Sequence, residues 1–187
     1  AEAARAEDRL LVYYSGHGLC LESEYYLAPS DAFSTESDAL LSFRKYVLAP
    51  LQACLSKKVI VILDACYSGP QPDGYKSHNV WSNSSTVIEA MVASTTGLIV
   101  LSSSAASQKS LSVSPISDLS LFTTILVEAL RGTPGALENN LLTVSSLYKY
   151  ANSRTPRLAS TYQHEQTPGI HQSGVGDIIL GEYFSQS

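Results

Sequence analysis

Three short stretches constrain the fold of this chain more than any other feature: LLVYY at residues 10–14, VIVIL at 59–63 and LIVLS at 98–102. Each is almost continuously apolar and is bounded by polar or turn-forming residues. A strand with one wet face alternates apolar and polar side chains, whereas a strand covered on both faces has no need to. A fourth run, DIIL at 177–180, has the same character. Between these runs lie patterns of helical period. Leu41, Phe43, Val47, Leu48, Leu51 and Leu55 share a face across residues 38–56, where Pro50 is expected to break or kink the segment. Leu121, Phe122, Ile125, Leu126, Ala129 and Leu130 share another across 119–131, closed by Gly132 and Pro134. Thr143 is placed to cap a third helix through Val144, Leu147, Tyr148 and Ala151. Strands alternating with helices predict an α/β domain with a mostly parallel central sheet flanked by helices. Residues 70–86, 103–118 and 153–169 read as loops.

The 187 residues suit a single domain over 1–187, and 44% hydrophobic against 16% charged residues marks it as globular. A net charge of −5, with basic residues scattered, speaks against nucleic acid as a partner. No apolar run approaches the ~20 residues needed to cross a bilayer, so no membrane partner is expected, and the N-terminus lacks a secretory pattern. The cysteines Cys20, Cys54 and Cys66 are odd in number and form no CxxC pair, which predicts a reducing, cytoplasmic setting rather than a disulfide framework. Neither they nor the histidines have ligand spacing, so no metal and no cofactor is expected.

His17, in SGHG, and Cys66, in DACYSG, each follow one of the predicted strands. In α/β sheets, ligands bind outside the carboxyl ends of strands. A thiol beside an imidazole becomes a strong nucleophile, and acyl transfer also needs N–H donors for the developing oxyanion. The amides of Gly18 and of Cys66 itself are the candidates, with Gly16 and Gly69 letting the backbone turn sharply. Taken singly, each residue has a plainer reading. A cysteine after a strand is commonly a small buried hydrophobe, and a histidine between glycines can be a turn residue. Cys20 and Cys54 read as structural; His78, His164 and His171 read as solvated loop residues.

Together, YYSGHG and ILDACYSG resemble the caspase-like cysteine peptidases, on the metacaspase and bacterial orthocaspase side of that superfamily. The similarity continues through YYLAPSDA (25–32), GLIVLSSSAASQ (97–108), SLFTTILVEALRG (120–132) and QTPGI (166–170). The resemblance implies a three-layer fold and a Cys/His dyad in which Cys66 is the nucleophile and His17 its partner, with Gly18 and Cys66 amides as oxyanion donors. It further implies that Asp64 and Ser15 line the pocket for the residue before the scissile bond. An aspartate there resembles the metacaspase arrangement, which takes arginine or lysine; a desolvated carboxylate favours a cation and disfavours an anion. The plainer reading of Asp64 is a turn cap bonded to nearby amides.

The implied activity is thus that of a cysteine endopeptidase acting on protein substrates after Arg or Lys through a thioester, as an effector module of a larger bacterial protein. Alternatives are a catalytically silent interaction scaffold, or a CHAT-type or separase-like peptidase of the same clan. By the same resemblance, residues 1–69 correspond to a large-subunit part, 70–96 to a processing-loop region and 97–187 to a small-subunit part. Lys76, the only basic residue between Cys66 and the next strand, is the candidate self-cleavage site. The family's first strand and helix have no counterpart here: AEAARAEDR reads as a helix tail, and a further segment or domains are expected N-terminal to residue 1.

Overall fold

The computed structural model describes residues 3–21, 24–32, 37–66, 84–105, 108, 110, 111, 118–174 and 176–184, without the side chains of Cys66 and of residues 84–86. In chain order the described residues form β1 (Leu10–Leu21), β2 (Glu24–Leu27), β3 (Leu41–Ser42), α1 (Ala49–Gln52) and β4 (Val59–Cys66). There follow α2 (Ser84–Ala93), β5 (Leu98–Ser102), α3 (Leu121–Leu130), β6 (Leu141–Thr143), α4 (Val144–Thr161), β7 (Gly169–Ser173) and β8 (Ile179–Glu182). Six strands make one sheet in the order β3-β2-β1-β4-β5-β7, and β6 pairs with β8 in a second, two-stranded sheet.

The three apolar runs form the centre of the sheet. β1, β4 and β5 are parallel neighbours, and every side chain of β5 is buried. Alternate residues serve opposite faces, as the pleat requires. Ile60, Ile62, Ile99 and Leu101 pack with Phe122, Ile125 and Leu126 of α3 and Leu147 and Ala151 of α4. Val59, Val61, Leu63, Leu98 and Val100 pack on the other face with Phe43, Leu48, Leu51, Ile88 and Met91. Helices therefore cover both faces, which gives the expected three-layer α/β architecture. Burying each such side chain is worth about 1.5–3 kcal/mol.

The sheet is mixed, because β2 and β7 run antiparallel to the parallel centre on either side of it, and β3 pairs antiparallel with β2 at the edge. These strands are short or half-polar, and nothing in their local pattern separates them from loop. Residues 38–56 do not form one helix: a 3-10 turn (Ser37–Ala39), β3, a π-helical turn (Arg44–Leu48) and α1 succeed one another. The fourth apolar run lies outside the main sheet, as β8 against β6. The opening stretch is a run of turns over residues 3–9 rather than a helix tail. Residues 84–93, read partly as loop, are helical.

Two helix-end expectations hold. Gly132 stops α3 with φ of 83°, and Thr143 caps α4 in a reciprocal box with Ser146. α4 then continues to Thr161 through Pro156. An interior proline costs a helix about 3 kcal/mol, and burial of Thr155 and Ala159 on the packed face of the helix offsets it. None of the described helices is long and apolar enough to cross a membrane.

Candidate active site

β1 does not end at Tyr14, nor β4 at Leu63. Both continue, so that His17 lies inside β1 and Cys66 is the last residue of β4. The reason is a change of partner. Up to His17, β1 pairs parallel with β4; from Gly18 it pairs antiparallel with β2. The strand stays hydrogen-bonded across the handover, and His17 sits at it.

The last rung of the β1–β4 ladder pairs His17 with Cys66, and two residues earlier Ser15 pairs with Asp64. Paired positions of neighbouring strands share a face, as do residues two apart along a strand. Positions 15, 17, 64 and 66 therefore lie on one face of the sheet, the face that carries α3. Ser15 and His17 are exposed there, and Asp64 is 3% exposed.

The glycines around His17 serve a different purpose from the one expected. Neither Gly16 nor Gly18 has a positive φ. Each instead makes room for a tyrosine on the opposite face: an added Cβ at Gly16 would lie 2.5 Å from the Tyr14 phenol oxygen, and one at Gly18 only 1.9 Å from that of Tyr25. The close approach lets Tyr14 reach under the strand, where its phenol oxygen is 2.8 Å from the carbonyl oxygens of both His17 and Ala28. Burial pushes the Tyr14 pKa up, opposed by those two bonds, so the phenol remains a donor. The Ala28 N–H also donates to the His17 carbonyl, at 2.9 Å. The backbone of the candidate base is thus held from the side away from the site.

The candidate oxyanion donors can be placed by strand parity. Leu10 N–H donates to Lys58 across the β1–β4 seam, and Val59 N–H donates to Gly97 on the far side of β4. Alternation then turns the N–H groups of even-numbered residues in both strands, Gly18 and Cys66 included, toward that seam.

Asp64 is held otherwise than a turn cap would be. Ser110 donates its hydroxyl to Oδ1 at 2.8 Å, while the hydroxyls of Ser120 and Thr123 both donate to Oδ2. Each of these hydroxyls accepts a bond in turn. Tyr13 donates to Thr123 Oγ1 at 2.6 Å, the Thr123 N–H to Ser120 Oγ at 3.0 Å, and Gln166 Nε2 lies 3.4 Å from Ser110 Oγ. Their hydrogens are accordingly directed at the two carboxyl oxygens. A carboxylate offers about four acceptor positions, so bonds from the described residues leave one over. Among the described residues no Lys, Arg or His forms an ion pair with Asp64.

Sequence reading missed Tyr13, Ser110, Ser120, Thr123 and Gln166, since they come together from four separate segments, only Ser120 and Thr123 sharing one, the start of α3. Only Ser120 carried a local signal, as the cap of α3, which it is. Gly69, Lys76 and His78 lie outside the described residues. Cys20 and Cys54 are buried free thiols, as expected of structural cysteines. His171 is not a solvated loop residue: it lies in β7, half-buried, with Nδ1 3.6 Å from Glu89, and burial pushes its pKa down against that carboxylate.

The profile of the caspase domain family matches residues 1–177. Among solved structures, the chain is similar to protein GSU0716 from Geobacter sulfurreducens, with 18% identity and a TM-score of 0.52, over 94% of this chain and 69% of that one. It is also similar to caspase-1 from Spodoptera frugiperda, with 16% identity and a TM-score of 0.50. That likeness covers 94% of this chain but 65% of the insect protein, just under two thirds of its length. No curated protein sequence matches significantly.

Proposed function

Since the chain belongs to the caspase-domain peptidase family, matched over residues 1–177, we propose that it is a cysteine endopeptidase cutting proteins after Arg or Lys. The observation that carries this reading is the register pair His17–Cys66, with Ser15–Asp64 two residues upstream on the same face. In the proposed reaction the Cys66 thiolate attacks the scissile carbonyl carbon and a tetrahedral oxyanion forms. As it collapses, the C–N bond breaks, His17 gives its proton to the departing amine, and a thioester remains on Cys66. His17 then takes a proton from water, whose oxygen attacks the thioester, and the thiolate leaves.

The N–H groups of Gly18 and Cys66, facing the β1–β4 seam, are the proposed oxyanion donors. Both are also ladder groups, so donation requires the last rung to yield to substrate. Asp64 is the proposed acid of the specificity pocket, beside Ser15. A buried carboxylate held by hydroxyls, with no cationic partner among the described residues, has one acceptor position to offer a guanidinium or ammonium. Lys76 fits the same preference as a self-cleavage site between a large-subunit part and a small-subunit part. The family context favours a cytoplasmic effector module of a larger protein.

One observation favours another role for Asp64. Its bonds join β4 to the start of α3 and to Ser110, so the carboxylate also works as a strut. Peptide reporters ending in Arg, Lys or Asp, offered to wild-type protein and to Cys66→Ala, Asp64→Asn and Asp64→Ala variants, decide between these readings. The expected result is cleavage of the basic reporters alone, abolished in Cys66→Ala, with Asp64→Asn folded but at least ~30-fold weaker on them. Cleavage of the Asp reporter alone overturns the pocket reading. Equal losses on every reporter, together with a lowered unfolding temperature, leave Asp64 as a strut.

A further inference from the structure

Gln166 is 1% exposed, lies in an irregular segment before β7, and has no place in the chemistry above. Its side-chain bonds converge on the surroundings of a single residue. Nε2 donates to the Ser103 carbonyl at 2.9 Å, and Ser103 is itself bonded to the two residues flanking Asp64. The Ser103 N–H donates to the Leu63 carbonyl at 3.0 Å, and its hydroxyl reaches the Ala65 carbonyl at 3.4 Å. The amide is thereby tied to the backbone that carries the carboxylate. Nε2 also lies 3.4 Å from Ser110 Oγ, whose hydrogen goes to Asp64 Oδ1. On the other side, Gln166 Oε1 accepts the Leu111 N–H at 2.9 Å, and the Leu111 carbonyl accepts the Leu121 N–H at 2.8 Å. Leu121 opens α3, directly after Ser120, whose hydroxyl goes to Asp64 Oδ2.

We propose that Gln166 is a positioning residue for the specificity carboxylate, acting through Ser110 and Leu111 to hold both oxygens of Asp64 in place; this rests on the pocket reading given above. A primary amide suits the position because it donates twice and accepts twice from one rigid plane. Leucine fills the same space and does neither. Glutamate accepts from Leu111 but cannot donate to Ser103 or Ser110, and it adds a second negative charge beside the site. With its orienting bonds gone, the Asp64 carboxylate is no longer aimed at an incoming cation, while the Cys66–His17 register, set by β1 and β4, is unaffected. The loss therefore falls on recognition of charge, not on bond cleavage.

Arginine and citrulline reporters separate the two effects, since citrulline has the shape of arginine without its charge. With the full chain, kcat/KM is measured on both reporters for wild type, Gln166→Leu, Ser110→Ala and the double variant. The expected result is an Arg-over-citrulline ratio lowered roughly 10-fold in Gln166→Leu and roughly 3-fold in Ser110→Ala, through KM and with kcat on citrulline unchanged. The double variant should be no worse than Gln166→Leu, because the two residues act in series. An unchanged ratio in either single variant of an active enzyme overturns the inference and leaves the pocket reading standing. Equal losses on both reporters also overturn it, as the mark of a general packing defect. A wild-type protein that cleaves no basic reporter removes the pocket reading and this inference with it. Should Gln166→Leu fail to fold, Ser110→Ala carries the decision alone.

Discussion

Replacing Gly18 by alanine tests whether the space between two strands and a buried tyrosine dictates the SGHG motif. The new methyl would lie 1.9 Å from the Tyr25 phenol oxygen, 2.6 Å from the ring carbon that bears it and 3.0 Å from a neighbouring ring carbon. Ordinary contact begins near 3.4 Å, so the ring has to retreat by well over an ångström. It has nowhere to go: Tyr25 is fully buried and stacks edge-on against Phe43, with ring centroids 5.8 Å apart and planes at 76°. Forced overpacking of this kind costs about 1–3 kcal/mol. Alanine regains about 0.4–1 kcal/mol by restricting the unfolded chain, because φ at this position is not in the glycine region. The balance is a loss of about 1–2 kcal/mol. For a chain of this size that lowers the unfolding temperature by roughly 2–8 °C. Urea titration followed by circular dichroism reads the change directly. The same substitution at Gly16 makes a useful contrast, since Tyr14 is only half-buried and can swing aside. Gly16→Ala should therefore lose less stability than Gly18→Ala. A Gly18→Ala protein as stable as wild type, or an inverted order of the two variants, would refute the account of these glycines as spacers.

Tyr14→Phe removes the phenol that reaches the His17 and Ala28 carbonyls; chemical denaturation should show a loss of about 1 kcal/mol, and peptidase turnover should fall through kcat rather than KM. Ile125→Ala empties a fully buried site between α3 and the sheet, so it should cost about 2–5 kcal/mol in the same assay. Asp177 makes a pH-dependent contribution. Its partial burial would raise the pKa, but bonds from Thr143, Ser145 and Ile178 outweigh that and hold it below the usual carboxylate value. A depressed folded pKa stabilises above the unfolded pKa, and the benefit disappears as pH falls through the folded value. Asp177→Asn should thus lower stability slightly at pH 7, by less than about 1 kcal/mol because the group is mostly exposed, and the difference should shrink as the pH falls below the usual carboxylate range.

The legible parts of this protein are those in which a local pattern has one physical meaning. Continuous apolar runs meant strands covered on both faces, as β4 and β5 are, whereas the run that became β1 leaves Leu11 and Tyr13 exposed on one face. The period of Leu121, Phe122, Ile125 and Leu126 meant a helix with one packed face, and Thr143 meant its successor's cap. The order of SGHG and DACYSG on successive core strands pointed to one edge of one sheet. Short flanking strands gave no such signal, since β2 and β7 become strands only when an existing strand edge offers them partners. The polar stretch from residue 153 reads as loop for a related reason: burial of Thr155 and Ala159 extends α4 to Thr161, and sequence alone registers only the local polarity.

The sequence by itself determined the candidate site residues and which runs form the core strands, because residue type and hydrophobic period are local properties. Only the tertiary structure decided their alignment. His17 meets Cys66 and Ser15 meets Asp64 through a pairing register that spans 49 residues of chain. The cradle around Asp64 collects hydroxyls and an amide from segments as far apart as Tyr13 and Gln166. Hydrogen bonds of that kind depend on where separate elements come to rest, and a residue's sequence neighbours hold no record of it.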